Sequence, residues 1–287
     1  MQCVQKQTPL IQKITTFFWL FFIVWISVGI AAALAGQTMP RWMHWADAWT
    51  MILATIITYL WMIDLHGVRK TRICFAIILI ASGLIEFIGT NTGFPFGHFK
   101  YTERFSATIN LPFAPNGLAI IIPFAWAVLC LNAWFLAGQI LKWRNRWAIC
   151  ALAGVITMLT DVNLEAVAWY MRGFDEAYWR WYADGTFTQI AQTVPVQNYI
   201  AWFVLTVIFL ALCPLQMAAP AKTNWKPLVI LAAFNLLFLA HRIHYTWLME
   251  DDPVPTEIEF SGRAMPSDLR LVNAALPFDS AGGRLNP

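Results

Sequence analysis

The sequence predicts an all-α membrane protein, a bundle of about seven transmembrane helices. One reason is composition, since 59% of the 287 residues are hydrophobic and only 12% are charged. A second reason is that apolar runs of about 20 residues recur along the chain, and a helix needs about that length to cross a bilayer. A third reason is that the density of basic residues alternates from one connecting loop to the next, as it does in multi-pass proteins.

The apolar runs define the elements in chain order. We expect helices over residues 14–36, 48–66, 71–90, 116–141, 147–170, 197–217 and 227–249, and we assign residues 1–249 to one transmembrane domain. The tail over residues 250–287 is polar, rich in Pro and Gly and without periodicity. An extended or disordered segment is therefore predicted there.

The first helix resembles a signal peptide in some respects. Lys6 and Lys13 precede the apolar run, and the run ends in the small residues AAALAGQ, which are typical of a cleavage site. However, the run over residues 17–35 is long for a signal core. We therefore interpret it as a retained transmembrane helix.

The loop charges predict the orientation. Four segments on one side hold ten basic residues, namely Lys6, Lys13, Arg69, Lys70, Arg72, Lys142, Arg144, Arg146, Lys222 and Lys226. The loops on the other side hold five, namely Arg41, Lys100, Arg104, Arg172 and Arg180. By the positive-inside rule the N-terminus is cytoplasmic, in a protein of the plasma membrane. Because these residues sort by loop and form no single patch, no nucleic-acid partner is indicated.

Ionisable residues lie at one predicted depth on three helices. Glu86, Asp161 and His241 each follow the basic start of a predicted helix by about 14 or 15 residues, which corresponds to roughly 21–23 Å along the axis. Such residues are costly in a bilayer and tend to face the interior of a bundle. We therefore expect all three in one cluster in the outer half.

Neighbouring polar residues extend this cluster. Asp161 and Glu165 are four residues apart, and His241 and His244 are three apart, so each pair shares a helix face. A purely structural interpretation is that Arg242 pairs with one acid while the histidines bond backbone. An iron site is another alternative, built from Glu86, Asp161, Glu165, His241 and His244. With only five histidines in the chain, we predict no metal.

A Gly/Pro-rich aromatic loop follows Glu86, in the stretch EFIGTNTGFPFGHFKYTERF over residues 86–105. Its glycines and Pro95 predict a tightly turned segment that ends the third helix. Phe94, Phe96 and Tyr101 give it an aromatic surface. Irregular backbone at membrane depth is tolerated where it lines protein or a cavity, so we expect this loop to cover the acid cluster.

The pattern E-x-x-G-T-x-T-G-x-P-F-G-x-[YF]-x-Y-T resembles the signature of the integral-membrane carotenoid biosynthesis family, which includes the carotenoid 1,2-hydratases. TDVNLEAVAWY, WRWY and VPVQNYIAW are similar to a later region of the same family. The resemblance covers about residues 80–205. It implies a reaction at the acyclic ψ-end of a carotene, such as γ-carotene or a bacterioruberin precursor, and we expect the bilayer and other carotenoid biosynthesis enzymes as partners.

Hydration of a terminal C1–C2 double bond to a tertiary alcohol needs an acid that holds a proton, aromatic faces for a carbocation and a positioned water. A carboxyl group removed from water by burial keeps its proton more readily. The catalytic candidates are therefore Glu86, Asp161, Glu165 and His241. The candidates for substrate binding are Thr90, Phe94, Phe96, Tyr101, Trp169, Trp179, Trp181, Asn198, Arg242 and His244. No cofactor is expected.

Other functions remain open from the residues alone. A carotenoid cyclase would share the first protonation, and an oxygenase would need a metal. A transporter would use the acids as a proton relay, although no inverted repeat is evident. A retinal protein is disfavoured because residues 227–249 contain no lysine for a Schiff base.

Overall fold

Over the residues that it describes, the computed structural model has seven α-helices, which confirms the predicted helical membrane bundle. It describes residues 9–37, 40–102, 104, 107–111, 114–170, 177–183, 185, 191, 193–217 and 224–244. The helices are α1 (Pro9–Leu34), α2 (Trp45–His66), α3 (Val68–Thr92), α4 (Ile121–Ile140), α5 (Arg146–Tyr170), α6 (Val196–Leu212) and α7 (Lys226–Ile243). The predicted tail over 250–287 lies outside the described residues.

Six of the seven helices are long and apolar enough to cross a membrane. The exception is α6, an apolar helix whose 17 residues measure about 25 Å along the axis. It ends at Leu212, earlier than predicted, because Pro214 cannot continue a helix. The predicted end of the seventh helix falls beyond Ile243, where residues 245–249 are not described.

The central helix is α4, and the other six surround it. It contacts α2, α3, α5, α6 and α7. Of the residues in its most apolar stretch, 72% are buried, against 22–39% in the other five helices that could cross a membrane. Contacts between neighbours close the outer ring in the order α1, α2, α3, α6, α5, α7. The helices α3, α5 and α6, which carry the predicted acids and Asn198, are therefore neighbours in space.

Two links between helices differ in length from the prediction. A single residue, Gly67, joins α2 to α3 with a φ of 78°, which favours glycine. The fourth helix begins at Ile121 and not at residue 116 as predicted. Residues Ala114–Ala119 instead form a strand, because Pro115 and Gly117 disfavour a helix.

In the described parts of the long connections there are four short strands, which the helical prediction did not include. They are β1 (His98–Tyr101), β2 (Thr108–Leu111), β3 (Ala114–Ala119) and β4 (Trp179–Tyr182). The strands β2 and β3 form one antiparallel pair. The strands β1 and β4 form another, which joins the α3–α4 connection to the α5–α6 connection.

Candidate functional site

Glu86 is buried near the end of α3 and accepts a hydrogen bond at each carboxyl oxygen. The residue is only 4% exposed. The Tyr101 hydroxyl, from β1, donates to Oε2 at 2.8 Å, and the Trp126 indole, from α4, donates to Oε1 at 2.8 Å. Three separate elements therefore fix the position of this carboxyl.

Asp161 and Glu165 lie one turn apart on α5 and face the same neighbour. They are 1% and 2% exposed. The Asn198 amide, from α6, donates to Asp161 Oδ2 at 2.8 Å and to Glu165 Oε1 at 3.3 Å. One amide thus bridges the two carboxyls. Their positions on one helix face had predicted that they would be close.

Glu165 is held from its other side by β4. The indole groups of Trp179 and Trp181 both donate to Glu165 Oε2, at 3.1 Å and 3.0 Å. Every described donor to the three carboxyls is uncharged: a hydroxyl, indole groups and an amide. The carboxyls also interact electrostatically with one another. The site is therefore a buried cluster of acids in an uncharged setting.

The paired strands β1 and β4 place an aromatic face against this cluster. Phe99 is opposite Trp181, and Tyr101 is opposite Trp179. Since side chains alternate along a strand and paired residues share a face, these four rings lie on the same side of the sheet. Ring centroids are 5.2 Å apart for Phe99 and Trp181, and 5.4 Å apart for Phe99 and Tyr101. We call these two strands the aromatic sheet.

Two glycines allow the loop to reach this position. Gly93 takes a left-handed conformation with a φ of 78° and caps α3, where its N–H donates to the Gly89 carbonyl at 2.8 Å. Gly97 has a φ of 113°, and an added Cβ would lie 2.7 Å from the Pro195 ring. The loop therefore packs directly against the start of α6, which brings Asn198 towards the carboxyls.

Tyr101 is set up as a proton donor within the aromatic sheet. Burial, followed by the charge of Glu86, raises the pKa of its hydroxyl well above the ordinary value. The hydroxyl accordingly keeps its proton and donates it in the hydrogen bond to Glu86. Glu86 is thereby held as an acceptor.

Two tryptophans that the sequence did not single out for the site lie beside Glu86. Trp126 and Trp202 stack with centroids 3.6 Å apart and planes 10° apart. Both are buried, and Phe96 packs on Trp126 at 6.3 Å. The only sequence signal for Trp126 is an indole N–H inside a span, which requires an acceptor.

The remaining predicted residues have other settings. Thr90 is buried, and its hydroxyl donates to the carbonyls of Phe87 and Asn116. Phe94 is 69% exposed. Trp169 belongs to α5, but its side chain lies outside the described part.

The histidine group sits at the end of α7. A His241 ring nitrogen lies 2.9 Å from the Leu237 carbonyl of its own helix. Arg242 is exposed and His244 is buried at the helix end. Among the described residues, no group of three or more His, Cys, Asp or Glu is arranged to hold a metal ion.

Comparison with known proteins agrees with the resemblance in the loop motif. A family model described as carotenoid biosynthesis protein matches residues 46–250. No curated protein and no solved structure matches the chain. The matched range holds helices α2 to α7, all four strands and the whole carboxyl cluster. The chain is therefore a multi-pass membrane protein with a role in carotenoid biosynthesis, and it belongs to the carotenoid biosynthesis protein family.

Proposed function

We propose that the protein hydrates the terminal C1–C2 double bond of an acyclic carotene ψ-end, giving a tertiary alcohol by acid catalysis. The observation that carries this proposal is the buried group of Glu86, Asp161 and Glu165 beneath an aromatic face. Hydration of an isolated alkene needs a proton donor, cation stabilisation and water, and these groups supply the first two. We also propose a plasma-membrane location, and the loop charges support a cytoplasmic N-terminus.

Asp161 is the best placed proton donor. Its Oδ2 accepts from Asn198, whereas no described donor contacts its Oδ1, which leaves that oxygen to carry a proton. Two ionised carboxylates as close as Asp161 and Glu165 repel strongly in a buried site, so the pair shares a proton. Asp161 transfers this proton to C2. The π electrons form the new C–H bond and leave a tertiary cation at C1.

The aromatic sheet stabilises the cation. Phe99, Tyr101 and Trp181 offer ring faces, and each such face contributes about 0.5–2 kcal/mol to the stabilisation of a nearby cation. The Trp181 indole N–H is already directed at Glu165, so its ring face is the part of this side chain that remains for a substrate. A carotene end, which has no hydrogen-bonding group, suits such a surface.

Water then captures the cation and the proton returns to the enzyme. The water oxygen bonds to C1, and the extra proton passes to Glu165. Asn198 bridges Glu165 and Asp161, so the recovered proton is next to the group that gave it. The net change is the addition of one water, with no oxidation or reduction. We assign the acceptor role to Glu165 over His241, because a His241 ring nitrogen lies against its own helix.

Expression in a host that makes lycopene or γ-carotene tests the proposal. The expected product gains the mass of one water per reacted end, and its new oxygen comes from labelled water and not from labelled O2. A product of unchanged mass would indicate a cyclase. Oxygen from O2 would indicate an oxygenase, and unchanged pigment with both carotenes would contradict an enzymatic role at a ψ-end. The same host without the gene is the control.

A further inference from the structure

A second polar cluster, centred on a buried arginine, lies at the end of the aromatic sheet, apart from the carboxyls. Arg104, whose side chain is 1% exposed, donates to Asp47 Oδ2 from Nη2 at 2.8 Å and from Nε at 3.1 Å. Asp47 lies in the first turn of α2, where the helix dipole favours a negative charge. This ion pair therefore joins the loop after β1 to the outer end of α2.

Tyr178 completes the cluster. Arg104 Nη2 donates to the Tyr178 hydroxyl at 3.2 Å, and the guanidinium carbon lies 4.3 Å from the centre of the Tyr178 ring. The Tyr178 hydroxyl also hydrogen-bonds to Asp47. Each of the three side chains thus contacts the other two, and we call this group the Arg104 cluster. Because burial of an arginine is costly, a set of contacts this complete is needed to hold it.

The Arg104 cluster sits where the two strands of the aromatic sheet end. Tyr178 immediately precedes β4, and Arg104 follows β1 by three residues. Between them, the Thr102 N–H donates to the Tyr178 carbonyl at 3.1 Å, and the Thr102 hydroxyl donates to the carbonyls of Ala177 and Tyr178. These bonds continue the ladder one step past the pair Tyr101 and Trp179.

That neighbouring pair reaches the carboxyls. Tyr101 donates to Glu86 and Trp179 donates to Glu165. A shift of this end of the sheet would move both donors together. Hydrogen bonds weaken steeply with misalignment, so Glu86 would lose one of its two described donors and Glu165 one of its three.

We propose that Arg104, Asp47 and Tyr178 are positioning residues, which fasten the end of the aromatic sheet to α2 so that Tyr101 and Trp179 stay on the carboxyls. The effect on catalysis rests on the proposed function, whereas the fastening itself does not. The cluster touches no reacting atom. It acts through the sheet.

Amide hydrogen exchange on the full-length protein in detergent tests the fastening. Asp47→Asn removes the charge partner and should speed exchange about tenfold in residues 98–102 and 178–182. Tyr178→Phe keeps the ring and removes the hydroxyl, so a smaller increase of about two- to threefold is expected. Exchange in α4 should not change in either variant. Lys100→Gln is the matched control, because it removes an exposed cation from β1 without touching the cluster.

Turnover per folded protein, measured on the same samples, tests the positioning. It should fall in the same order as exchange rises, with Lys100→Gln equal to the unmodified chain. Unchanged exchange in both strands of folded Asp47→Asn protein would overturn the fastening, and faster exchange with full turnover would overturn the positioning role. If the unmodified chain makes no hydrated product, the proposed function fails, and exchange still decides whether the cluster holds the sheet.

Discussion

The α3 side and the α5 side of the carboxyl cluster hold their acids in different ways. On the α3 side, Glu86 has one donor for each oxygen, and the two donors come from β1 and α4. On the α5 side, the described residues give Asp161 a donor at Oδ2 alone, and it shares that donor with Glu165. Glu86 and Asp161 are both almost fully buried, so the difference between them lies in their hydrogen bonds.

This difference separates two chemical roles. A carboxyl that accepts one hydrogen bond at each oxygen keeps further lone pairs, but both of its oxygens are fixed in position by their donors. A carboxyl with one oxygen unengaged by described donors has a place for a transferable proton. We infer that Glu86 orients the aromatic sheet through Tyr101, while Asp161 carries the chemistry.

Asp161→Asn should have the largest effect. The amide keeps the shape of the side chain but has no proton to give, so turnover should fall by about 10²- to 10⁴-fold, the usual contribution of a general acid. The measurement is product formed per folded protein, with the thermal unfolding midpoint as a check on the fold.

Thr157→Val is the matched control for this prediction. Thr157 is buried one turn away on α5, and its hydroxyl donates to the Ala153 carbonyl of its own helix. Its loss should lower stability by about 1 kcal/mol and leave turnover per folded protein within about twofold, because this bond does not involve a carboxyl of the cluster. Full turnover in folded Asp161→Asn protein would remove Asp161 from the mechanism.

The helices could be predicted because each one carries its own signal. An apolar run near 20 residues has few alternatives in a bilayer, and seven such runs became seven helices. The errors fall where local residues override the run. Pro115 and Gly117 turn the expected start of α4 into a strand, and Pro214 ends α6 early.

The carboxyl cluster could be predicted in part for a related reason. A helix has a fixed rise, so the positions of Glu86 and Asp161 could be compared from spacing alone. The pairing of Tyr101 with Trp179 could not, because it joins two loops that are far apart in the sequence. The alternation in WRWY is typical of a strand but does not identify its partner. Trp126 was missed because it is one of 16 tryptophans and only its acceptor distinguishes it.

Glu86→Gln should have a smaller effect than Asp161→Asn. Glutamine can accept from the Trp126 indole with its oxygen, while its amide nitrogen faces the Tyr101 oxygen, so one of the two original bonds is kept. We expect turnover to fall about tenfold through a shifted Tyr101, and stability to fall by about 1–2 kcal/mol.

Turnover of the two amide variants, measured side by side, checks the ranking. A larger loss for Glu86→Gln than for Asp161→Asn would reverse the two roles and make Glu86 the proton donor. Tyr101→Phe is a useful companion, since it removes the donor and keeps the acid. It should resemble Glu86→Gln if Glu86 acts by orienting the aromatic sheet.

The smallest effects are expected on the donors to Glu165. Trp179 and Trp181 donate to the same oxygen, so either Trp→Phe change leaves the oxygen with one indole partner. Each single variant should therefore lose less than about 1 kcal/mol of unfolding free energy, with turnover nearly unchanged.

The double variant leaves a buried carboxylate oxygen without these donors, and it should lose more than the sum of the two single changes. Unfolding midpoints of all three variants measure this coupling. Strictly additive losses would mean that the two indoles stabilise Glu165 independently of each other.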